Sequence, residues 1–177
     1  MMTLEQPLAQ ISRDGFAVIR AVYSPDQVAG MRMALEHAFH SHATAAPVRS
    51  DAGHVYAARN VLHLWPPAVE VADQPPLPEL LTALLGPGYG VVRALFFDKP
   101  PERTWALPWH KDLTVSLREN RPLGGGFTKP TIKAGVPHAE APTAVLEGMV
   151  TVRIHLDDVT EENGPLKVLP GSHRTGK

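Results

Sequence analysis

The sequence predicts an α+β domain, mainly β, and three observations carry that expectation. Eighteen prolines in 177 residues, about twice the usual share of roughly 5%, interrupt long helices and favour short strands joined by shaped loops. Near the start, "SPDQVAGMRMALEHAFH" carries a helix-initiation signature. Further on, several segments alternate apolar and polar residues with the period of two that a β-strand imposes. One domain spanning 1–177 is expected, and a chain of this length can bury roughly 70% of its unfolded surface.

Composition narrows the chemistry before any motif is read. Apolar residues make up 44% of the chain, charged residues 20%, and the formal net charge is -1. With no basic footprint, nucleic acid is not an expected partner. Cysteine is absent, which removes disulfides, thiolate nucleophiles and Cys-ligated zinc or iron–sulfur sites and leaves His, Asp and Glu as metal ligands. The opening "MMTLEQPLAQISRDG" has no basic segment followed by an apolar one, and no stretch approaches the ~18 apolar residues of a membrane span. The expectation is a cytoplasmic protein with no membrane contact.

Taken in order, residues 16–20 (FAVIR) follow Gly15 and read as a strand with Phe16, Val18 and Arg20 on one face. Ser24 is a natural N-cap, Pro25 sits at the first helical position, where its missing N–H costs nothing, and Gln27 can close a capping box. Val28, Met31, Leu35 and Ala38 then trace one helical face, expected to pack on the core. His37, His40 and His42 cluster at the helix end. Imidazoles there invite a metal reading, but polar and cationic groups also suit a helix C-terminus, and the structural role is favoured.

Residues 43–76 are rich in Ala, Pro and polar residues, with only "ARNVLHLW" looking locally ordered. "PLPELLTALLGPG" reads as a short helix closed by Gly86 and Pro87. "YGVVRALFFDK" reads as a strand apolar on both faces, with Arg93 and Lys99 as the exceptions. "PWHKDLTVSL" reads as another, on which the period of two puts His110 and Asp112 on one face and Lys111 on the other. Residues 119–142, with four prolines and "PLGGGF", read as a long loop able to cover a site. "PTAVLEGM" is expected to make a helical turn or two. In "MVTVRIHLDDV", Thr151, Arg153 and His155 share one strand face and Val150, Val152, Ile154 and Leu156 the other, and "LKVL" reads as a short strand before a Pro-Gly turn.

The chemistry centres on His110-x-Asp112. A His and a carboxylate from one short segment can take adjacent positions on an octahedral metal, and a second His completes a 2-His-1-carboxylate triad that leaves three positions open, as non-haem Fe(II) requires. On its own the pattern is weak, because two such residues often fall at this separation by chance.

Several segments together resemble the phytanoyl-CoA dioxygenase family of Fe(II)- and 2-oxoglutarate-dependent oxygenases: "DGFAVIRAVYSPDQV", "FFDK", "PWHKDL" and "HLDDVTEENGPLKVLPGSHRTG". They occur in the family's order and cover essentially the whole chain, and "NGPLKVLPGSH" is far more specific than H-x-D. The resemblance implies a double-stranded β-helix, or jelly roll, decorated by N-terminal helices. It implies Fe(II) as cofactor, 2-oxoglutarate as cosubstrate, hydroxylation of a small-molecule substrate, and His110 and Asp112 as the first two iron ligands. In the family, the second His ligand and the basic residue that pairs with the distal carboxylate of 2-oxoglutarate lie downstream of the "PGSH" turn. The sequence stops four residues after that turn, so the expectation is a roll incomplete at its C-terminal end, either a fragment or a chain that has lost the site. Such a chain would bind iron weakly or not at all.

His155 is the candidate substitute ligand, since its face carries the polar neighbours Thr151 and Arg153; the competing reading is a polar cavity wall without metal. His173, in the "PGSH" turn, resembles a turn-stabilising residue. Lys99 and Arg153 are candidates for binding the anionic cosubstrate, because a buried cation needs an anionic partner; both would serve equally as surface charges. Lys111 stands where the family often has a neutral amide. Asp157 and Asp158 read as strand-end and turn carboxylates. Two readings from other classes stay open. One is a non-catalytic jelly-roll binding or interaction protein, self-associating through the edges of an incomplete roll. The other is a cupin-like metal isomerase or hydrolase.

Overall fold

The computed structural model describes residues 3–42, 48–51, 54–99, 107–119, 124–162 and 164–176. Helix α1 (Glu5–Asp14) is followed by α2 (Pro25–Ser41), which starts as its sequence dictates. The Gln27 N–H donates to the Ser24 hydroxyl at 3.2 Å, and the Ser24 N–H donates to the Gln27 side chain at 2.8 Å. Both donors would otherwise be orphans of the first turn. The inner face of α2 buries Leu35, Ala38 and Phe39, while Val28 and Met31 on the same stripe stay half-buried. At the other end the His42 ring donates from Nδ1 to the Ala38 carbonyl at 2.8 Å, giving the end-of-helix histidine the structural role expected of it.

Within residues 48–76 the chain is far more regular than its composition suggests. β1 (Val48–Asp51) and β2 (His54–Ala58) pair antiparallel, and β3 (Phe96–Phe97) adds to β2, giving a sheet of order β1-β2-β3. Between β2 and β3 run α3 (Val61–Leu64), a 3-10 helix (Pro66–Asp73) and α4 (Leu77–Leu85). Pro66 and Pro67 open the 3-10 helix, where a missing N–H is harmless, so prolines that read as loop markers here start a helix. α4 ends at Gly86 with φ 81, as its sequence predicts. Leu35, Phe39, Val48, Ala58, Val61 and Leu64 form the core, with Phe96 and Leu156 packed against it. The Phe39 and Phe96 rings lie 4.9 Å apart and tilted by 55°, within the favourable range for aromatic pairs.

The second sheet has order β4-β6-β5, from β4 (Thr114–Ser116), β5 (Thr128–Lys133) and β6 (Val136–Glu140), all antiparallel. The segment that reads as a long loop is therefore mostly a hairpin; its residues 120–123 lie outside the described residues. The turn places Ala134 at φ 50 and Gly135 at φ 77, two left-handed positions in a row, which is the twist a two-residue hairpin needs. Alanine rarely occupies such a position, and the Asn-Gly or Asp-Gly signal that would announce it is missing. α5 (Thr143–Glu147) supplies the helical turn expected there.

Five stretches that read as strands pair with no strand among the described residues: 16–20, 89–95, 108–113, 149–159 and 166–169. Alternation gives a segment two faces, but a strand also needs a neighbour to accept its ladder hydrogen bonds. Without one, apolar side chains stay in solvent: Val92 is 67% exposed, Trp109 70%, Val152 40% and Leu166 60%. The α+β mixture is present, and among the described residues helical positions outnumber strand positions. Among the described residues, strands run from two to six residues while α2 alone has 17, and the two three-stranded sheets do not close into a barrel. Among the described residues, no helix is long and apolar enough to cross a membrane.

Candidate functional site

His110 and Asp112 lie in the segment leading into β4, both exposed. Beyond Asp112 the segment is tied down, because the Leu113 carbonyl accepts from the Ala141 N–H at 2.9 Å. The His110 ring is oriented by a bond from Nδ1 to the Pro108 carbonyl, 2.8 Å long. A carbonyl can only accept, so Nδ1 carries the proton; when the ring is neutral, its lone pair sits on Nε2, which has no partner among the described residues. Metal-binding histidines commonly hold their second ring N–H in this way. The Asp112 carboxylate likewise makes no hydrogen bond or ion pair among the described residues. Between the two, Lys111 donates from Nζ to the Thr175 hydroxyl at 3.3 Å and to the Gly176 carbonyl.

The remaining candidates are dispersed. Among the described residues, no group of three or more His, Cys, Asp or Glu is placed to hold a metal ion, so His155 is not brought together with His110 and Asp112. His155 and Arg153 are exposed in the unpaired stretch before Leu156, and Arg153 has no ion pair among the described residues. Lys99 is half-buried and donates to the Gly164 carbonyl at 3.2 Å. Its stem lies close enough that a Cβ on Gly164 would sit 3.0 Å from Lys99 Cδ. Asp157 pairs with Arg32 of α2 at 2.7 Å, the tethering role a strand-end carboxylate suggests, while Asp158 is exposed.

Three polar features are invisible in the sequence because their partners are distant or lie where it reads as loop. His54 Nε2 and Asp98 Oδ2 meet at 2.8 Å across 44 residues. His138, on β6, is 3% exposed and donates from Nδ1 to the Val136 carbonyl at 2.8 Å. Burial pushes its pKa below the ordinary value; the hydrogen bond opposes that shift, and the cations Lys133, Arg93 and Arg59 add to it. The third feature is the contact between the "GSHR" turn and α1. Gly171 N–H donates to the Asp14 carbonyl at 2.8 Å, and Arg174 Nη2 and His173 Nε2 both donate to the Ser12 carbonyl, at 2.6 and 3.3 Å. Hydrogen bonding from Arg13 holds the Asp14 carboxyl below its ordinary pKa against the opposing effect of desolvation, and the charges of Arg13, His173 and Arg174 reinforce the lowering.

The chain is 26% identical over 179 residues to an L-proline trans-4-hydroxylase from Streptomyces griseoviridis. The alignment covers 99% of this chain and 59% of that relative, so the chain spans about three fifths of the relative's length. No solved structure matches the chain. The model of the phytanoyl-CoA dioxygenase (PhyH) family matches residues 11–177, nearly the whole sequence, and the chain therefore belongs to that family.

Proposed function

We propose that the protein supplies two of the three iron ligands, His110 Nε2 and Asp112, of an Fe(II)/2-oxoglutarate-dependent dioxygenase that hydroxylates a small organic substrate. The observation that carries this reading is the His110 ring, held through Nδ1 on the Pro108 carbonyl, with a carboxylate two residues away that has no partner among the described residues. Imidazole nitrogen and carboxylate oxygen are the donor types of a non-haem Fe(II) site with open positions. When bound, Fe(II) and 2-oxoglutarate supply the oxidising chemistry that activates O₂. The chain's own part is to orient. The Pro108 carbonyl fixes the imidazole tautomer and strengthens it as a donor, and the Asp112 carboxylate offsets the charge of the metal.

Arg153, exposed and without an ion pair among the described residues, is the better placed of the two candidate cations to meet a carboxylate of 2-oxoglutarate; Lys99 is the other. The likeness to an L-proline hydroxylase makes free amino acids the first substrates to try. Among the described residues no third donor joins the pair, and two donors hold iron weakly, so the 177-residue chain is expected to bind Fe(II) weakly and to form no succinate from 2-oxoglutarate. Titration with Fe(II), and with Mn(II) as a redox-silent probe, tests the assignment. His110→Ala or Asp112→Ala should cost at least the roughly 10–100-fold that outer-shell changes cost metal sites. Binding indifferent to both changes sinks the assignment, and succinate formation coupled to O₂ uptake and lost in His110→Ala would show that these residues complete a site unaided.

The exposed apolar side chains favour a second reading, a non-catalytic protein that self-associates through its unpaired segments. Sedimentation across a concentration series separates the two. A concentration-independent monomer with one cooperative melt removes the second.

A further inference from the structure

The geometry points to residues 171–176 as a clasp, in which Lys111 acts as a positioning residue that anchors the His110–Asp112 segment to the C-terminus of helix α1. An α-helix leaves its last four carbonyls without intrahelical partners. In α1, the Ile11 carbonyl accepts from Gly15 N–H at 2.8 Å in an ordinary glycine cap. The Ser12 and Asp14 carbonyls are satisfied from the far end of the chain, by Arg174 and His173 and by Gly171. Donors and cations at a helix C-terminus also meet the negative end of its dipole.

Contact between the two elements is close. Gly15 sits at φ +86 with no room for a side chain, since a Cβ there would lie 2.5 Å from His173 Nδ1. The turn is thus seated against the helix end, and Gly171, itself left-handed at φ 78, lets the chain reverse there.

From this seat the next two residues meet Lys111, which lies between the two candidate metal ligands in sequence. Thr175 donates through its hydroxyl to the Ser172 carbonyl at 2.8 Å, fixing that hydroxyl, and Lys111 donates to the Thr175 hydroxyl and the Gly176 carbonyl. Residues 107–113 belong to no strand, and among the described residues their other hydrogen bonds are the His110–Pro108 bond within the segment and the bond to the Leu113 carbonyl at its end. Among the described residues, Lys111 is therefore the side chain that holds the middle of the segment to the rest of the protein. The consequence for metal binding rests on the proposed function, but the clasp itself does not.

Backbone ¹⁵N order parameters of the metal-free 177-residue chain test it, because they read local mobility whether or not an amide is hydrogen-bonded. In Lys111→Met, residues 109–112 should fall from the rigid range near about 0.85 to below about 0.6 while residues 12–15 keep their values. In Arg174→Met both stretches should loosen, and Lys111→Arg should restore residues 109–112. If residues 109–112 are unmoved in Lys111→Met, the positioning role is wrong. If Arg174→Met loosens residues 12–15 alone, the turn does not transmit to the segment and the clasp is wrong. Mn(II) broadening of the His110 ring resonances is recorded separately, and its absence would count against the iron reading while leaving the clasp intact.

Discussion

The stretch from α2 to β3 and the stretch from residue 107 to the "GSHR" turn contain the same kinds of segment but differ in what those segments bury. In the first, α2, β1 and β2 close over Phe39, Ala58, Val61 and Leu64, all at most 5% exposed. In the second, Val150 and Val152 alternate with polar residues as strand residues should, yet are 41% and 40% exposed. The difference teaches that alternation prepares a strand and a neighbour makes it. β2 has β1 and β3 beside it, whereas residues 150–156 have no ladder partner among the described residues. Leu156 and the Asp157–Arg32 pair hold the end of that stretch to the core and to α2.

The sharpest way to break this comparison is to truncate one side chain in each region. Phe39→Ala should cost about 3–5 kcal/mol in denaturant unfolding, the range for a large buried aromatic, while Val152→Ala should stay within about 0.5 kcal/mol. Equal losses would mean that the exposed stretch is packed in solution. Next in size is Gly15→Ala, where a left-handed alanine alone costs roughly 1–2 kcal/mol and the contact with His173 adds to it; the thermal midpoint should drop, and no drop would mean that the "GSHR" turn is not seated on α1. Ser24→Ala, which removes one bond of the capping box, should cost about 1 kcal/mol by the same measurement. It is a control confined to the packed region.

The smallest expected effect concerns pH. His138 is buried and its folded pKa lies below the ordinary 6.5, so the unfolded chain takes up the proton more readily than the folded one. Its contribution is complete above about pH 6.5 and declines as pH falls from there toward the lower folded value. Stability measured across that window should fall on acidification in the wild type and fall less in His138→Leu. An unchanged slope would show that His138 is protonated as easily folded as unfolded.

Local signals were legible wherever the physics is local. The capping box of α2, the glycine stop of α4, the helical turn at α5 and the structural role of His42 all depend on contacts within four residues, and all are present. The candidate iron pair was legible for the same reason, being two residues apart, and the family followed from motifs spread along the chain. What could not be read depends on distant partners. The β5–β6 hairpin turns on a left-handed alanine that announces nothing, the His54–Asp98 contact spans 44 residues, and Lys111 meets residues more than sixty positions away.

By itself, then, the sequence determined the chemistry available to this protein: no thiols, a His and a carboxylate of the right types two residues apart, and helix ends chosen residue by residue. Only the tertiary structure decided which alternating segments became strands, that His155 stands apart from His110 and Asp112, and that the "GSHR" turn closes α1 while its last residues hold Lys111. The physical reason is that side-chain chemistry and helix capping are settled within a few residues of chain, whereas ladder pairing, burial and clasping exist only once distant segments meet.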